Sequence, residues 1–178
     1  LEYNSLISSF PKSPIPIYSL GQVYLRTGNY KMAVENFNKA IAMNPYDNEK
    51  YTKSISSISQ RIAKSGDEKF RVKEYDEALI LYLEAIDYNP GFVAVLYRIT
   101  NVYQQMRDYD NAKTYADKTL FYDPNHYKAM KTLGDLYYQL GDMDSSIKYY
   151  NKSINTNSQY YKTYYSLSKV LNEKGDQS

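Results

Sequence analysis

Catalysis needs groups that can move a proton, attack, or hold a metal, and this chain brings few of them together. His126 is the only histidine and cysteine is absent. A histidine-activated nucleophile would therefore rest on one residue. His126 lies in the loop after Pro124, where a solvated turn residue is the simpler reading. Metal binding is left to carboxylates, and Asp142 with Asp144 lacks the calcium-loop pattern. The seven glycines show neither G-x-G-x-x-G nor phosphate-loop spacing. The other carboxylates are scattered and most simply solvated. No catalytic residue, cofactor or metal site is expected, and the segment is not read as an enzyme.

Composition narrows the partners. An apolar content of 43% rules out wholesale disorder, and a charge of +2 is too small to imply nucleic acid or an acidic membrane. The basic residues form no continuous stripe, so nucleic-acid binding ranks last. No apolar run approaches the length of a membrane-spanning helix, so membrane insertion is not expected. The first residue is Leu1 and no leader pattern follows it. Absent cysteines leave the redox compartment open.

The elements that must position any site are legible from 14 to 45. The series Ile17, Leu20, Gly21, Tyr24, Gly28, Tyr30, Ala33, Phe37, Ala40, Ile41, Pro45 keeps three- and four-residue steps broken at Gly28-Asn29. That describes two short amphipathic helices, a tight turn and a stop. Prolines set the period: Pro11 to Pro45 is 34 residues, Pro45 to Pro90 is 45, and Pro90 to Pro124 is 34. The internal series recurs in phase, as Gly66, Tyr75, Ala78, Tyr82, Ala85, then Thr100, Tyr103, Ala112, Ala116, then Gly134, Tyr137, Ser146, Tyr150.

These residues resemble the tetratricopeptide repeat, the 34-residue helix–turn–helix unit with the pattern W-x2-L-G-x2-Y…A-x3-F…P. Ile17 stands where the pattern has tryptophan. The resemblance implies an all-α, right-handed solenoid. Its units run 14–47, 59–92, 93–126 and 127–160, after the second helix of a partial repeat at 1–13 and before a terminal capping helix at 161–178. The chain then looks like a piece of a longer array. Gly21, Gly66, Thr100 and Gly134 should mark close helix crossings, answered by Ala33, Ala78, Ala112 and Ser146. Gly28 and Gly141 suit a left-handed turn, and Lys73 and Arg107 in the same place should be strained. In the last helix Tyr164, Leu167, Ser168 and Leu171 form the stripe, with Gly175-Asp176 at its turn.

The eleven extra residues, 48–58, hold no Gly or Pro, and Tyr51, Ile55, Ile58 and Ile62 keep helical spacing. Eleven residues are three turns to within about 20°. One long helix over 48–72, capped by Asp47, is expected; the alternative is a separate helix with a kink at Ser56-Ser57.

The resemblance also implies a function, protein–protein interaction through the inner curve of the superhelix. Tyr24, Tyr30, Tyr75, Tyr82, Tyr103, Tyr109, Tyr137 and Tyr150 fall at buried positions. Tyr18, Tyr97, Tyr138 and Tyr165 lie beside the core stripe, where they either line the groove or pack neighbouring first helices. The groove reading makes Tyr97 and Tyr138 dispensable for stability. Gln22, Arg98, Asn101, Lys128, Lys131 and Lys162 join them as candidate peptide-binding residues, with Asp67, Arg71, Gln104, Asp135 and Lys169 nearby. The lysines tilt the C-terminal half toward acidic ligands. The family's clamp for chaperone C-termini does not fit: its positions hold Tyr18, Gln22, Lys64, Ala94, Arg98, or Ala63, Asp67, Arg98, Lys128, Thr132, or Tyr97, Asn101, Thr132, Lys162, Ser166, with at most two matches, and Asp67 opposes a carboxylate. The expected partner is a protein or peptide. The alternatives are a recognition arm of a larger enzyme and a self-associating assembly module.

Overall fold

A computed structural model describes residues 2–46 and 48–176. Among these, ten helices succeed one another: α1 Glu2–Ser9, α2 Pro14–Arg26, α3 Tyr30–Met43, α4 Glu49–Arg71, α5 Tyr75–Tyr88, α6 Val93–Gln105, α7 Tyr109–Tyr122, α8 Tyr127–Gln139, α9 Met143–Thr156 and α10 Tyr161–Asp176. Each helix packs chiefly on its chain neighbours, with α2/α3, α4/α5, α6/α7 and α8/α9 the closest pairs. The result is a helical solenoid, in which a hairpin buries its apolar face only by stacking on the next.

Short-range chemistry sets the helix ends. Asn29, Asp108 and Asp142 accept the backbone N–H of Met32, Asn111 and Ser145 at 3.2, 3.1 and 3.0 Å, capping α3, α7 and α9. Asn44, Asn89 and Asp123 close α3, α5 and α7 outside the helical region, with φ of −141°, −139° and −133° and ψ of 76°, 82° and 87°, which keeps the residue before each proline out of the α conformation. Asn157 does the same before Ser158, so the turn does not need the proline. Between first and second helices the chain turns left-handed at Gly28, Lys73, Arg107 and Gly141, with φ of 78°, 65°, 60° and 82°. Two of these residues carry a Cβ, which is the strain expected of them.

The close crossings hold the small residues Ala33, Ala78, Ala112 and Ser146 fully buried. An aromatic ring, not anticipated there, also presses on each glycine. A Cβ on Gly21, Gly66 or Gly134 would lie 2.6, 2.7 and 2.5 Å from Phe37, Tyr82 and Tyr150. In the third hairpin Thr100 replaces the glycine and Ala116 replaces the ring, both fully buried. Volume is moved across the interface rather than added.

α4 runs unbroken through Ser56 and Ser57 for 23 residues. Ser59 turns its hydroxyl back to Ile55 O, and Tyr51, Ile55, Ile58 and Ile62 are all buried. Asp47 lies outside the described residues. Asn48, the flanking residue, makes no side-chain cap and donates to Pro45 O at 2.9 Å instead. The first half of α4 lines α2 and α3, through Tyr51 on Tyr18 and Arg61 over Tyr30. The second half receives Tyr82 of α5 at Gly66.

α10 departs from expectation. It continues through Gly175 to Asp176 instead of turning. It buries Thr163 and Val170, while Tyr164 and Leu171 are 45% and 48% exposed. α10 contacts α9 and α8; no described helix covers the stripe that a second helix would.

Two substitutions test these packing rules by urea unfolding. Gly134→Ala should destabilise by about 1–2 kcal/mol, the overpacking cost less the gain in helix propensity. Lys73→Gly should stabilise by about 1 kcal/mol, because it relieves the left-handed Cβ. A Gly134→Ala chain as stable as the parent would show that the ring does not set the crossing.

Candidate functional site

The first helices α2, α4, α6, α8 and α10 stand side by side, and side-chain bridges join each to the next. Gln22 of α2 donates to Ser54 of α4 at 3.1 Å, and Tyr18 sits between Phe37 and Tyr51 with its ring tilted to both. Arg98 of α6 meets the carboxylate of Asp67 on α4 at 2.8 Å. Tyr97 sits against His126, ring centroids 4.8 Å apart, with its hydroxyl 3.4 Å from Thr132 of α8. Tyr138 of α8 donates to both oxygens of Glu173 on α10, at 2.8 and 2.7 Å, and carries Lys169 over its ring. Three of the four candidate groove tyrosines are thus also packing residues. Alanine at Tyr97 or Tyr138 would remove a bridge between first helices and should therefore cost some stability. Among the described residues no further first helix packs on Tyr165, which is 75% exposed.

Two cavities open on this face. The larger, about 560 Å³, lies between the C-terminal ends of α6 and α8 and the middle of α10. Of the expected residues it takes Gln104, Asp135, Tyr138, Tyr165 and Lys169. The smaller, about 220 Å³, is lined by Asp67, Phe70, Tyr82, Arg98 and Asn101. Tyr18, Gln22, Tyr97, Lys128, Lys131 and Lys162 line neither. Lys131 is turned onto Asp135 at 2.6 Å, whereas Lys128 and Lys162 are exposed at the starts of α8 and α10. Gln105, Arg107, Tyr109 and Gln139 also border the larger cavity and were not expected there. Gln105 and Gln139 are one period apart, so the repeat register carried the signal.

A second pattern spans two repeats. Gly66-Asp67 with Tyr82, and Gly134-Asp135 with Tyr150, place a buried phenol on a groove carboxylate at 2.7 and 2.8 Å. Burial first, and the carboxylate second, push both phenols well above the ordinary tyrosine pKa. Each carboxylate is also engaged by a cation, Arg98 or Lys131. The negative charges of the groove are therefore answered from within the fold, which removes much of the repulsion expected of Asp67.

His126 is not a solvated turn residue. It is half-buried and caps α8, its Nδ1 accepting the N–H of Ala129 at 3.1 Å. That bond requires the neutral ring with Nδ1 unprotonated. Burial lowers its pKa from the ordinary 6.5, against the upward pull of Asp123. Among the described residues no group of three or more acids or histidines could hold a metal, and no helix is long and apolar enough to cross a membrane.

Comparison with known families and structures agrees with this architecture. The tetratricopeptide repeat family matches residues 17–47 and 97–161. The chain is a tetratricopeptide repeat (TPR) protein. No curated protein matches it by sequence. Among solved structures, it is similar to the first TPR domain of Spaghetti (RPAP3) bound to the HSP90 peptide SRMEEVD, with TM-score 0.65, 17% identity, and coverage of 67% of this chain and 95% of that one. The Sgt2 TPR domain from Aspergillus fumigatus superposes with TM-score 0.63 at 21% identity, covering 67% and 82%. MamA covers 90% of this chain and 87% of its own, with TM-score 0.52 at 21% identity. At these identities the likeness concerns the fold.

The His126 cap gives this TPR protein a pH signature. The folded pKa lies below the unfolded one, so the unfolded chain takes the proton first. Stability should hold above pH ~6.5 and fall as pH drops from there toward the depressed folded value. His126→Asn keeps a capping acceptor that does not titrate, and urea midpoints between about pH 7.5 and 5.5 should flatten. An unchanged slope would assign the titration to other groups.

Proposed function

We propose that this TPR protein is a protein-interaction scaffold that holds an extended segment of a partner along its first-helix face. The observation that carries the reading is the larger cavity, where three successive first helices present amides, hydroxyls and an ammonium group from Gln104, Gln105, Tyr138, Gln139, Tyr165 and Lys169. Such groups satisfy the backbone of a bound peptide whatever its side chains, and the tyrosines add area at low entropic cost. A structural neighbour holds an HSP90 peptide, which supports the class of ligand. This chain lacks the lysine and asparagine set of the chaperone clamp, and Asp67 and Arg98 at those positions bind each other, so a chaperone tail is not the proposed ligand. TPR repeats are generally interaction modules rather than catalytic ones.

Peptide display against the immobilised chain tests the reading. Tyr165→Ala combined with Gln105→Ala touches exposed residues and should lower retention of selected peptides about tenfold. Unfolding free energy should stay within about 0.5 kcal/mol. Retention indifferent to this pair would move binding off the first-helix face.

A further inference from the structure

The turn between α6 and α7 holds a residue that the fold does not ask for. Arg107 is left-handed, φ 60°, where the first and fourth hairpins use Gly28 and Gly141. The turn itself is held by the backbone, Arg107 N–H to Gln104 O at 3.1 Å and Asp108 N–H to Tyr103 O at 2.9 Å. A side chain at 107 therefore adds strain and contributes nothing to closing the turn. It borders the larger cavity beside Gln104, Gln105, Gln139 and Lys169.

The charges around it are unequally matched. Asp135 is taken by Tyr150 and Lys131, Glu173 by Tyr138, and Asp108 by the cap of α7 and Asn111 Nδ2. No described carboxylate makes an ion pair with Arg107. Lys169 stays over the Tyr138 ring, with Glu173 4.0 Å away. The cavity lining thus includes a guanidinium without an ion-pair partner among the described carboxylates, the side-chain amides of Gln104, Gln105 and Gln139, and a second cation, Lys169. A carboxylate matches a guanidinium fork by two parallel hydrogen bonds.

We propose that this cavity is an acid-selective subsite. It seats an aspartate or glutamate side chain of the bound peptide, with Arg107 as its direct partner and Lys169 adding to the local positive field. The proposal rests on the groove reading and names the side-chain class that groove prefers. It concerns internal acidic side chains and not a C-terminal carboxylate.

Two fluorescein-labelled decapeptides, alternating Ser-Glu and alternating Ser-Gln, both amidated at the C-terminus, provide the test by anisotropy titration on the full chain. The glutamate peptide should bind at least about fivefold tighter, the margin of one partly exposed charge pair, and the margin should shrink in high salt. Arg107→Gly should abolish the margin while raising the urea midpoint, because it relieves the left-handed strain. That rise shows that the variant is folded. Lys118→Gln, which removes an equal charge on α7, should leave the margin intact. Equal binding of the two peptides, still weakened by Tyr165→Ala with Gln105→Ala, overturns the subsite and leaves the groove standing. Equal weakening by Arg107→Gly and Lys118→Gln also overturns it, since only net charge would then matter. Binding of neither peptide by the parent chain counts against the groove itself.

Discussion

Contact between a glycine and an aromatic ring sets the distance between the two helices of three hairpins. Phe37, Tyr82 and Tyr150 are fully buried over Gly21, Gly66 and Gly134. A large ring fits there because the facing residue has no side chain. Where the first helix has Thr100, the second helix has Ala116, and the hairpin still closes. The constraint is on summed volume at the crossing, which explains why the third hairpin keeps its place without either member of the pair. It also ties packing to electrostatics. A tyrosine in the ring position reaches through the crossing, and its hydroxyl meets the residue after the glycine, Asp67 or Asp135. Phe37 has no hydroxyl to offer, and the residue after Gly21 is Gln22, which is turned instead onto Ser54.

The long helix α4 shows how a solenoid absorbs an insertion. Eleven residues rotate a helix by only about 20° more than three whole turns, so the buried stripe continues in phase. They also displace it by about 16 Å along its axis, at 1.5 Å per residue. α2 and α3 pack against the first half, through Tyr18, Gln22 and Tyr30. α5 and α6 pack against the second, through Tyr82 and Arg98. The candidate groove residues accordingly fall into two groups. Tyr18 and Gln22 lie at the start of α4, and the two cavities lie beyond its step. Consecutive numbering in the repeat does not make these residues one site.

Much of the fold was legible because periodicity, turn chemistry and stop prolines report local physics, and a solenoid is built from little else. Side-chain roles were less legible, because a tyrosine at a given register can serve the core, a bridge or the groove. Tyr82 and Tyr150 are entirely buried, whereas Tyr24, Tyr30, Tyr75, Tyr103, Tyr109 and Tyr137 are partly buried and pack against the core. Tyr103 and Tyr137 are completed by stacks on Tyr115 and Tyr149 of the second helices, a pairing that single-helix periodicity does not show. His126 was misjudged for a related reason. A residue after a proline turn reads as solvated unless the next helix needs its ring nitrogen, and that depends on Tyr97 arriving from α6.

Division of labour among the first-helix residues explains how such a scaffold can change ligand without changing shape. Tyr18, Tyr97 and Tyr138 occupy the floor, where each is held by the next first helix, and Asp67 and Asp135 are held by phenols from beneath. These groups are committed to the fold by burial and hydrogen bonding, so replacing them disturbs the spacing of the helices. The rim is different: Gln105, Arg107, Gln139 and Tyr165 are exposed, and none donates or accepts a side-chain bond that the solenoid requires. Rim positions are free to vary at small cost to stability, whereas floor positions are not. Specificity in this architecture should therefore reside in the residues that hydrophobic periodicity leaves unassigned, at the ends of the first helices and in the turns that follow them.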